Sequence, residues 1–398
     1  MHRGLDIAIA GAGPAGLAAA LLLQRDGHTV RIFERFDSPR PIGSGLILQP
    51  TGQAVLKLLG LTHQIESLGT PIDRLRGHDA RSGRVVLDMR YAVQPGLGRG
   101  LGVHRAALFG VLHGAVVAAG IPIETGSTVT ASANGTLMIG ARRAGPFDLI
   151  VDALGSSSPL RAQLPGARPA RPLDFGAIWG NVPWVDEGFD RNALTQRYER
   201  ASVMVGVLPI GRLAPDGPRL ASFFWSLKPA EHGALVAQGF ERWAERVREV
   251  WPQTAPHLAA LAGFEALTLA RYSHATLPVP VGERLVAIGD AAHSTSPQLG
   301  QGANMALLDA RALALALREP DLQVALANYA ALRRWHVRLY QALSLSFTPL
   351  YQSDSHWLPR LRDALVPIAT TVPPLPQVLA AMVAGRLLDP FGPLDLAL

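Results

Sequence analysis

The sequence contains no cysteine and very little lysine, and each absence excludes a class of function. Without cysteine the chain can form no disulfide, no thiolate nucleophile and no thiolate metal site. Only Lys57 and Lys228 are lysines among the 37 basic residues, and the arginines are scattered without a run longer than two. A net charge of +6 without a clustered basic face argues against a nucleic acid partner. A reducing compartment, the cytoplasm, fits the missing cysteines.

Charge is also scarce near the C-terminus. The 398 residues are 48% hydrophobic and 17% charged, which predicts a globular protein of two or more domains. Residues Ala364–Gly385 form a stretch of 22 residues without charge, long enough to cross a bilayer. We predict that no continuous spanning helix forms and expect a core segment or a surface with weak membrane association. The reason is its prolines, Pro367, Pro373, Pro374 and Pro376.

A glycine-rich turn, Gly11-Ala12-Gly13-Pro14-Ala15-Gly16, follows the first predicted strand and opens a predicted helix. Gly11 allows the turn, Gly13 lets a pyrophosphate approach the backbone, and Gly16 lets helix and strand pack closely. Glu34 ends the next predicted strand 18 residues after Gly16 and can accept hydrogen bonds from a ribose. The pattern predicts an adenine dinucleotide site, and these residues alone leave NAD and FAD open.

A second turn, near residue 290, has the layout of an anion site. A buried strand over Leu285–Ile288 is followed by Gly289-Asp290, a loop, and a helix predicted from about Gly302 to Leu317. The N-terminus of that helix offers unpaired N–H groups and partial positive charge. Together with the Asp290 carboxylate, they would suit an anionic or electron-accepting group.

The middle of the chain has the pattern of an antiparallel sheet. Strands are predicted over Phe175–Val185, Ser202–Pro209 and Leu220–Leu227, and a hairpin over Asp73–Tyr91. Such a sheet, rich in aromatic residues, can wall an apolar pocket, although burial in a core is the commoner role for any one of them. The pocket candidates are Trp179, Tyr198, Phe224 and Trp225.

Three separated motifs resemble those of the class A flavoprotein monooxygenases, the group related to para-hydroxybenzoate hydroxylase and the ubiquinone-biosynthesis hydroxylases. They are Gly11–Gly16 with Glu34, Asp148–Arg161, and Gly289-Asp290 with Pro297–Asn304. The resemblance implies FAD as cofactor, NADH or NADPH as reductant, and no metal. It also implies a flavin C4a-hydroperoxide, formed from dioxygen, that hydroxylates or epoxidises an aromatic or electron-rich apolar small molecule.

The resemblance further implies roles for individual residues. Glu34 and Arg35 would hold the adenosine ribose and its surroundings, Arg105 the flavin's linking chain, and Asp290 the ribityl hydroxyls, while Val129 would lie near the adenine. The loop after Asp290 would face the isoalloxazine. The complete cofactor set is Gly11, Gly13, Pro14, Ala15, Gly16, Glu34, Arg35, Gly45, Arg105, Val129, Gly155, Gly289, Asp290, Pro297, Gly300, Gly302, Ala303 and Asn304.

The fold class expected from the resemblance is α/β. A Rossmann-like FAD-binding domain, formed by residues 1–72, 101–173 and 271–330, would be interleaved with an antiparallel sheet domain for the substrate. That second domain would comprise residues 73–100 and 174–270, and a C-terminal helical segment would follow over 331–398. Pro297 would shape the pocket near the flavin, and Tyr198, Tyr272 and His274 are candidates for deprotonating a phenol.

The middle motif departs from the pattern of the group. Leu154 stands where an Asp-Gly pair usually places its acid, while Gly155 and Arg161 keep the pattern. Because that acid is linked to contacts with FAD and with nicotinamide cofactor, the resemblance leaves the source of electrons open. The alternatives are an FAD-dependent reductase or dehydrogenase of the same fold, a monooxygenase supplied by a separate reductase, and a non-enzymatic flavin carrier. A halogenase is disfavoured because the Trp-x-Trp-x-Ile-Pro signature is absent.

Overall fold

The computed structural model describes residues 4–38 and 43–398. Residues 1–3 and 39–42, which belong to the predicted segment 1–72, lie outside the described residues. The strands of the described chain are β1 Asp6–Ala10, β2 Thr29–Phe33, β3 Gly45–Leu48, β4 Thr70–Ile72, β5 Arg74–Asp79, β6 Val85–Arg90, β7 Gly100–His104, β8 Ile123–Glu124, β9 Val129–Ala133, β10 Thr136–Ile139, β11 Arg142–Ala144, β12 Leu149–Asp152, β13 Arg171–Pro172, β14 Gly176–Pro183, β15 Ala193–Glu199, β16 Val203–Gly211, β17 Leu220–Leu227, β18 Thr268–Ala270, β19 Ser273–His274 and β20 Leu285–Ala287.

The helices of the same residues lie mostly around the first sheet and in the C-terminal third. They are α1 Pro14–Arg25, α2 Pro50–Leu58, α3 Thr62–Leu68, α4 Arg105–Ala118, α5 His232–Ala237, α6 Phe240–Val250, α7 Ala255–Ala259, α8 Asp290–His293, α9 Gly302–Ala316, α10 Leu322–Tyr351, α11 Leu358–Thr371 and α12 Leu375–Val383.

A parallel sheet of five strands, in the order β20-β12-β1-β2-β8, forms the first layer. The side chains of Ile7, Ala8 and Ile9 in the central strand β1 have no exposed surface. Apolar side chains of α1 and α9 cover this strand. In a parallel sheet the carboxyl ends of the strands share one edge, where ligands bind. The turns after β1, β12 and β20 therefore meet there, and the predicted α/β fold class is confirmed.

A sheet of seven strands, in the order β18-β14-β17-β16-β15-β5-β6, forms the second layer. Its pairs are antiparallel except β15 with β5, which run parallel. Strand β15 was not predicted, because Gln196, Arg197 and Glu199 interrupt its apolar signal. Between residues 267 and 281 the strands are limited to β18 and β19, since Pro278 and Pro280 lack N–H donors.

The three-stranded sheet β3-β7-β4 joins the two layers. A side chain at Gly102, in β7, would lie 2.1 Å from the carbonyl oxygen of Pro209 in β16, so the two sheets approach backbone to backbone. This contact fixes how the aromatic sheet faces the edge of the parallel sheet.

The C-terminal part begins with α10, a helix of 30 residues. The Asp321 carboxylate caps it by accepting hydrogen bonds from the N–H groups of Gln323 and Val324, at 2.9 and 3.0 Å. The predicted boundary between residues 330 and 331 falls inside this helix, and the predicted division into domains stays a prediction. In the described residues, no single helix is long and apolar enough to cross a membrane; only the pair α11 and α12, bent by 101°, passes that test together.

Candidate active site

The Gly11–Gly16 turn forms a pocket with one open side. The Gly11 N–H donates to the Phe33 carbonyl at 2.8 Å, and its φ of +106° is a conformation that favours glycine. A side chain at Gly11 would lie 2.5 Å from the Ala153 carbonyl oxygen, and one at Gly16 would lie 2.0 Å from the Gly11 oxygen. A side chain at Gly13 would meet nothing within 4 Å. Gly11 and Gly16 are thus required by packing, whereas the space beside Gly13 suits a pyrophosphate.

Glu34 closes the same pocket from the end of β2. Its Oε2 accepts from the Ala12 N–H at 2.7 Å and its Oε1 from the Phe36 N–H at 3.2 Å. The carboxylate is therefore fixed beside the glycine turn, where a ribose is predicted. Arg35 is exposed and stacks over Phe36 at 4.8 Å, whereas the Val129 side chain is buried in the core. Contacts of Arg35 and Val129 with adenosine remain predictions.

The Gly289 turn brings the second motif against the first. Gly289 has a φ of +59°, and a side chain there would lie 3.2 Å from the Cβ atoms of both Ala15 in α1 and Ala306 in α9. Asp290 is exposed, and its Oδ1 lies 3.9 Å from the Cβ position of Gly302 at the start of α9. The Asp290 carboxylate and the N–H groups of a helix N-terminus therefore adjoin one surface, as the sequence predicts for a flavin.

The Asn304 side chain connects the start of α9 to β3 and to the Gly300 turn. It is fully buried, and its Oδ1 accepts from the Gln49 N–H at 2.8 Å. Its Nδ2 donates to the carbonyls of Ile47 at 3.2 Å and Gly300 at 2.9 Å. Each polar atom of the amide is therefore engaged within the protein, and the side chain holds β3 and the Gly300 turn together. A contact between Asn304 and the cofactor stays a prediction.

The loop between Asp290 and α9 presents Pro297 to open space. Pro297 is exposed and begins a single 3-10 turn, which is capped by the Ser296 Oγ accepting from the Gln298 N–H at 3.2 Å. Gly300 follows with a φ of +62°, and Ala303 is half-buried in the first turn of α9. The contact of Pro297 with the flavin stays a prediction.

Arg105 and Gly45 lie at the junction of the two layers. Arg105 is exposed at the start of α4, and its side chain lies along Gly43, whose Cβ position is 2.8 Å from the Arg105 Cδ. Gly45 donates its N–H to the Ser222 Oγ at 3.1 Å, and a side chain there would lie 2.2 Å from Ile210. Close packing of β3 against the seven-stranded sheet thus requires Gly45, and its predicted cofactor contact stays untested.

Asp152 provides a buried acid two residues before Leu154. Its Oδ2 accepts from the Ser158 Oγ at 2.6 Å, and its Oδ1 accepts from the Leu154 N–H at 3.1 Å. Burial raises the pKa of the Asp152 carboxyl to about 6. Arg161 is buried nearby, and neither Nη atom has a hydrogen-bond partner in the described chain. Gly155, with a φ of +83°, has open space at its Cβ position. Sequence reasoning missed Asp152, although an acid ending an apolar strand was a signal.

Asp309 is the centre of a buried network that sequence reasoning also missed. Its Oδ2 accepts from the Gly289 N–H at 2.8 Å and meets the His293 Nε2 at 2.6 Å, while its Oδ1 accepts from the Arg333 Nε at 2.6 Å. Burial would raise the pKa of this carboxyl, but His293 and Arg333 hold it well below its usual range. The available signal was a lone acid within the apolar run of α9.

The network extends from Arg333 to the C-terminal segment. The Arg333 Nη1 lies 3.4 Å from the His336 Nδ1, and the His336 Nε2 lies 3.0 Å from the Gly385 carbonyl oxygen. Burial, and then Arg333, lowers the pKa of His336 to about 3, so its ring is neutral. A neutral ring with Nε2 protonated can donate to Gly385 and ties α10 to the end of α12.

The aromatic candidates divide between the two faces of the seven-stranded sheet. Trp179 and Phe224 lie together with ring centroids 4.6 Å apart, and the Trp179 Nε1 donates to the Tyr272 hydroxyl at 2.9 Å. Trp225 follows Phe224 in β17 and points to the other face, where it packs on Trp243 of α6. Trp225 and Phe224 therefore cannot line one face together, and which of them meets the substrate stays a prediction.

Tyr198 lies on the same face of the seven-stranded sheet as Phe224, but inside a closed core. It has no exposed surface, its hydroxyl donates to the Gln196 Oε1 at 2.8 Å, and its ring lies 5.3 Å from that of Tyr351. Burial raises the pKa of Tyr198 well above its usual value. Its roles as pocket wall and as base remain predictions that would require this core to open.

Neither Tyr272 nor His274 has the surroundings of a strong base. Burial raises the pKa of Tyr272 to about 12, so the phenol is neutral near pH 7. Burial, and then Arg171, lowers the pKa of His274, which is half-buried in β19 opposite Arg171. A neutral His274 can accept a proton only weakly, so catalysis by either residue stays a prediction.

These features are those of a flavoprotein class: a parallel sheet with the predicted adenosine and flavin motifs at one edge, and an aromatic sheet beside it. The family model described as FAD binding domain, FAD_binding_3, matches residues 4–334. The chain belongs to this family. It is an FAD-dependent monooxygenase, and the predicted class, cofactor and enzyme type are confirmed.

Named relatives cover nearly the whole chain. The aurachin C monooxygenase/isomerase of Stigmatella aurantiaca is 28% identical over 353 residues, which cover 84% of this chain and 86% of the relative. A putative 2-heptyl-3-hydroxy-4(1H)-quinolone synthase of Rhodococcus erythropolis is 30% identical over 398 residues, covering 95% and 92%. The structure of Klebsiella pneumoniae HpxO complexed with FAD and uric acid has a TM-score of 0.80 at 23% identity, covering 96% of this chain and 98% of that one, and it supports the fold.

Proposed function

We propose that this monooxygenase hydroxylates a flat aromatic or electron-rich apolar small molecule with dioxygen. The observation that carries the proposal is the direction of the Phe224 face. Ser222 and Phe224 are two residues apart on β17, so their side chains point to the same face of the sheet. The Ser222 hydroxyl accepts a hydrogen bond from the Gly45 N–H in β3. The pair of Trp179 and Phe224 therefore belongs to the side of the sheet that approaches the predicted flavin loop.

The relatives support an aromatic substrate. Their names specify a quinolone synthase, a 6-hydroxynicotinate 3-monooxygenase and an FAD-dependent urate hydroxylase, whose substrates are planar nitrogen heterocycles. The indole of Trp179 and the ring of Phe224 offer such a molecule flat apolar surface. Epoxidation of an electron-rich double bond would use the same arrangement.

In this proposal the protein binds, orients and excludes water, and bound FAD supplies the oxygen-transfer chemistry. Asp290 and the start of α9 would hold the flavin, and Pro297 would limit the space above it. The Tyr272 hydroxyl is engaged with Trp179 and would fix the ring that contacts the substrate. The closed packing of Tyr198 against Tyr351 would keep water from that side.

Two variants of matched chemistry test the placement of the substrate. Trp179→Leu should weaken the affinity for an aromatic ligand by at least about tenfold, because a buried aromatic contact is worth more than about 1.4 kcal/mol. The affinity is measured from the change in flavin absorbance that the binding ligand causes. Trp225→Leu removes the same side chain from the opposite face and should leave the ligand affinity of the folded protein unchanged. Equal effects of both variants would contradict the proposed pocket.

The source of electrons is part of the proposal. NADH or NADPH would reduce the flavin directly, with a separate reductase as the alternative raised by Leu154. The decisive experiment is anaerobic mixing of the yellow protein with NADH or NADPH, with and without phenolic and heteroaromatic ligands, followed by air. Bleaching by a nicotinamide and a product heavier by one oxygen atom support direct reduction.

Other outcomes of that experiment have definite meanings. Bleaching without an oxygenated product from any ligand would favour the reductase or dehydrogenase reading. Failure of both nicotinamides, with product formed after addition of a flavin reductase and NADH, would establish the external supply. Failure of every reductant to bleach bound FAD would favour the flavin carrier and overturn the proposed function.

We further propose that the protein works in the cytoplasm and associates weakly with membranes through α11 and α12. On these helices Leu361, Leu365, Ile368 and Val378 are each 48% to 53% exposed, and Val372, directly after α11, is 49% exposed. No charged residue lies between Asp363 and Arg386. At the edge of this face Arg360 lies over the exposed Trp357 at 5.5 Å. Arginine beside tryptophan bordering an apolar face is typical of helices lying in a membrane interface. The cysteine-free composition supports the cytoplasm.

A flotation assay tests the membrane proposal. The protein should float with vesicles containing phosphatidylglycerol more than with neutral phosphatidylcholine vesicles, and Leu365→Glu/Ile368→Glu should abolish flotation. Val117→Glu, at an exposed apolar position on α4, is the matched control and should float normally. If the double variant instead converts a dimer into a monomer and vesicles bind neither form, the face is a protein interface and the proposal fails.

A further inference from the structure

A cavity of about 410 Å³ lies at one end of the seven-stranded sheet, separate from the residues of the flavin and aromatic sites. It is bounded by the end of α3 and β4, by the loop between β14 and β15, and by the loop between β16 and β17. Its lining includes Pro71, Trp184, Arg191, Pro209, Arg212 and Arg219. The volume is within the range of small-molecule sites.

Two of the arginines, Arg191 and Arg212, are held in place by hydrogen bonds that use only part of their N–H donors. The Arg191 Nη2 donates to the Asp186 Oδ1 at 2.6 Å, and the Trp184 Nε1 donates to the same oxygen at 2.9 Å. The Arg212 Nη1 donates to the carbonyls of Pro215 at 3.3 Å and Gly217 at 2.9 Å. A guanidinium has five N–H donors, so each of these two keeps most of its donors for another partner.

The charges around the cavity are unbalanced. None of the described residues that line it is acidic, whereas Arg191, Arg212 and Arg219 are basic. The nearby Asp186 is already engaged: hydrogen bonds from Trp184 and Arg191 lower the pKa of its carboxyl, and Arg219 adds a further positive charge. Three guanidiniums and no carboxylate in the lining itself leave positive charge that an oxyanion would neutralise.

We propose that this cavity is an accessory binding site for a planar aromatic ligand that carries an anionic group. The ring lies against Trp184, whose indole is held by Asp186, and the oxyanion is bound by Arg191 and Arg212. Both a nucleoside phosphate and an aromatic carboxylate have this chemistry. The site does not depend on the oxygenation reaction, because its lining shares no residue with the flavin loop or with the Trp179 face.

Calorimetric titration of the FAD-loaded protein tests the site with two probes, adenosine monophosphate and benzoate, at constant ionic strength. At least one probe should bind, and Arg191→Gln/Arg212→Gln should weaken that binding at least tenfold. Trp184→Leu should also weaken it. Arg143→Gln is the matched control, because Arg143 is an exposed arginine on β11, in a different sheet. Stronger binding of the phosphate or of the carboxylate identifies the source of the anion.

Because the double variant also removes bonds that hold its loops, a second variant keeps the test sharp. Arg219→Gln changes a lining arginine whose side chain makes no hydrogen bond among the described residues, so its effect reports charge alone, and we expect a threefold to tenfold loss. The proposal is overturned if neither probe binds at millimolar concentration. It is also overturned if binding persists unchanged in all three variants, or if a substrate of the flavin site displaces the probe competitively.

Discussion

Replacing Asp309 with asparagine should test whether the buried network behind the flavin loop positions that loop. The substitution keeps the size of the side chain but removes the charge that Arg333 and His293 contact at 2.6 Å each. It also introduces an NH₂ group facing two donors. Because the Gly289 N–H donates to the same carboxylate at 2.8 Å, the turn that presents Asp290 loses its anchor.

The expected cost follows from burial. Asp309 has no exposed surface and Arg333 is 3% exposed, so water cannot replace the lost charge. Removing one partner of a buried ion pair costs about 3–5 kcal/mol, and we expect the free energy of unfolding to fall by that amount. Because the pKa of Asp309 is lowered in the folded protein, its carboxylate contributes stability that is fully present at pH values above its pKa in the unfolded chain. That contribution is lost as the pH falls from there through the pKa of the folded state. The effect should therefore be constant from pH 6 to 8.

The assays are chemical unfolding of the FAD-loaded protein and fluorescence titration of FAD into the cofactor-free protein. Asp309→Asn should lose stability and bind FAD at least tenfold more weakly. The control is Arg318→Gln, which breaks an exposed ion pair with Asp26 and should cost less than about 1 kcal/mol. Adding Arg333→Met to Asp309→Asn should cost less than the sum of the single changes, because the pair is removed together. A loss below about 1 kcal/mol with unchanged FAD affinity would refute the positioning role.

Three further predictions concern the glycine turn and two titrating groups. Gly16→Ala should prevent folding, because its Cβ would lie 2.0 Å from the Gly11 oxygen, whereas Gly13→Ala should fold normally and only weaken FAD binding; circular dichroism and FAD titration separate the two. Tyr272→Phe should leave the pH profile of kcat unchanged from pH 6 to 9, since the pKa of Tyr272 is about 12, and a lost basic limb would show that Tyr272 titrates in catalysis. The pKa of the Asp152 carboxyl is about 6 in the folded protein and has its ordinary value of 3.8 in the unfolded chain, so the folded state binds more protons between these values. The free energy of unfolding should therefore fall as pH rises through that window, by about 3 kcal/mol at most, and the difference between wild type and Asp152→Asn in urea titrations should show this slope.

Local patterns allowed much of the site to be predicted, and long-range pairing explains what was missed. The turn at Gly11 and the start of α9 at Gly302 were predictable because glycine, proline and apolar periodicity act over a few residues. Strand β15 was missed because its hydrogen-bonding partners, β5 and β16, determine it more than its own mixed residues do. The Asp309 network was missed because Arg333 lies 24 residues away on another helix.

The face on which each aromatic residue lies could not be predicted for the same reason. Composition identified an aromatic sheet, but the face of each ring depends on register, and a shift of one residue reverses every face. Ser222 provides the reference, because its hydroxyl accepts from Gly45 and so marks the side of β17 that meets β3. Phe224 is on that side and Trp225 is not. A contact between residues 177 positions apart in the chain therefore shows which aromatic residues lie on the β3 side of the sheet.

The C-terminal segment and the flavin loop are mechanically connected through hydrogen bonds. Gln301 immediately precedes the first residue of α9, and its Nε2 donates to the Val383 carbonyl at 2.6 Å. The His336 Nε2 lies 3.0 Å from the Gly385 carbonyl oxygen, and His336 leads through Arg333 and Asp309 to the Gly289 N–H. The end of α12 is thus tied to both sides of the loop that carries Asp290 and Pro297. Helices α11 and α12 also carry the exposed apolar face. A displacement of these helices would therefore be transmitted to the predicted flavin loop through both sets of hydrogen bonds.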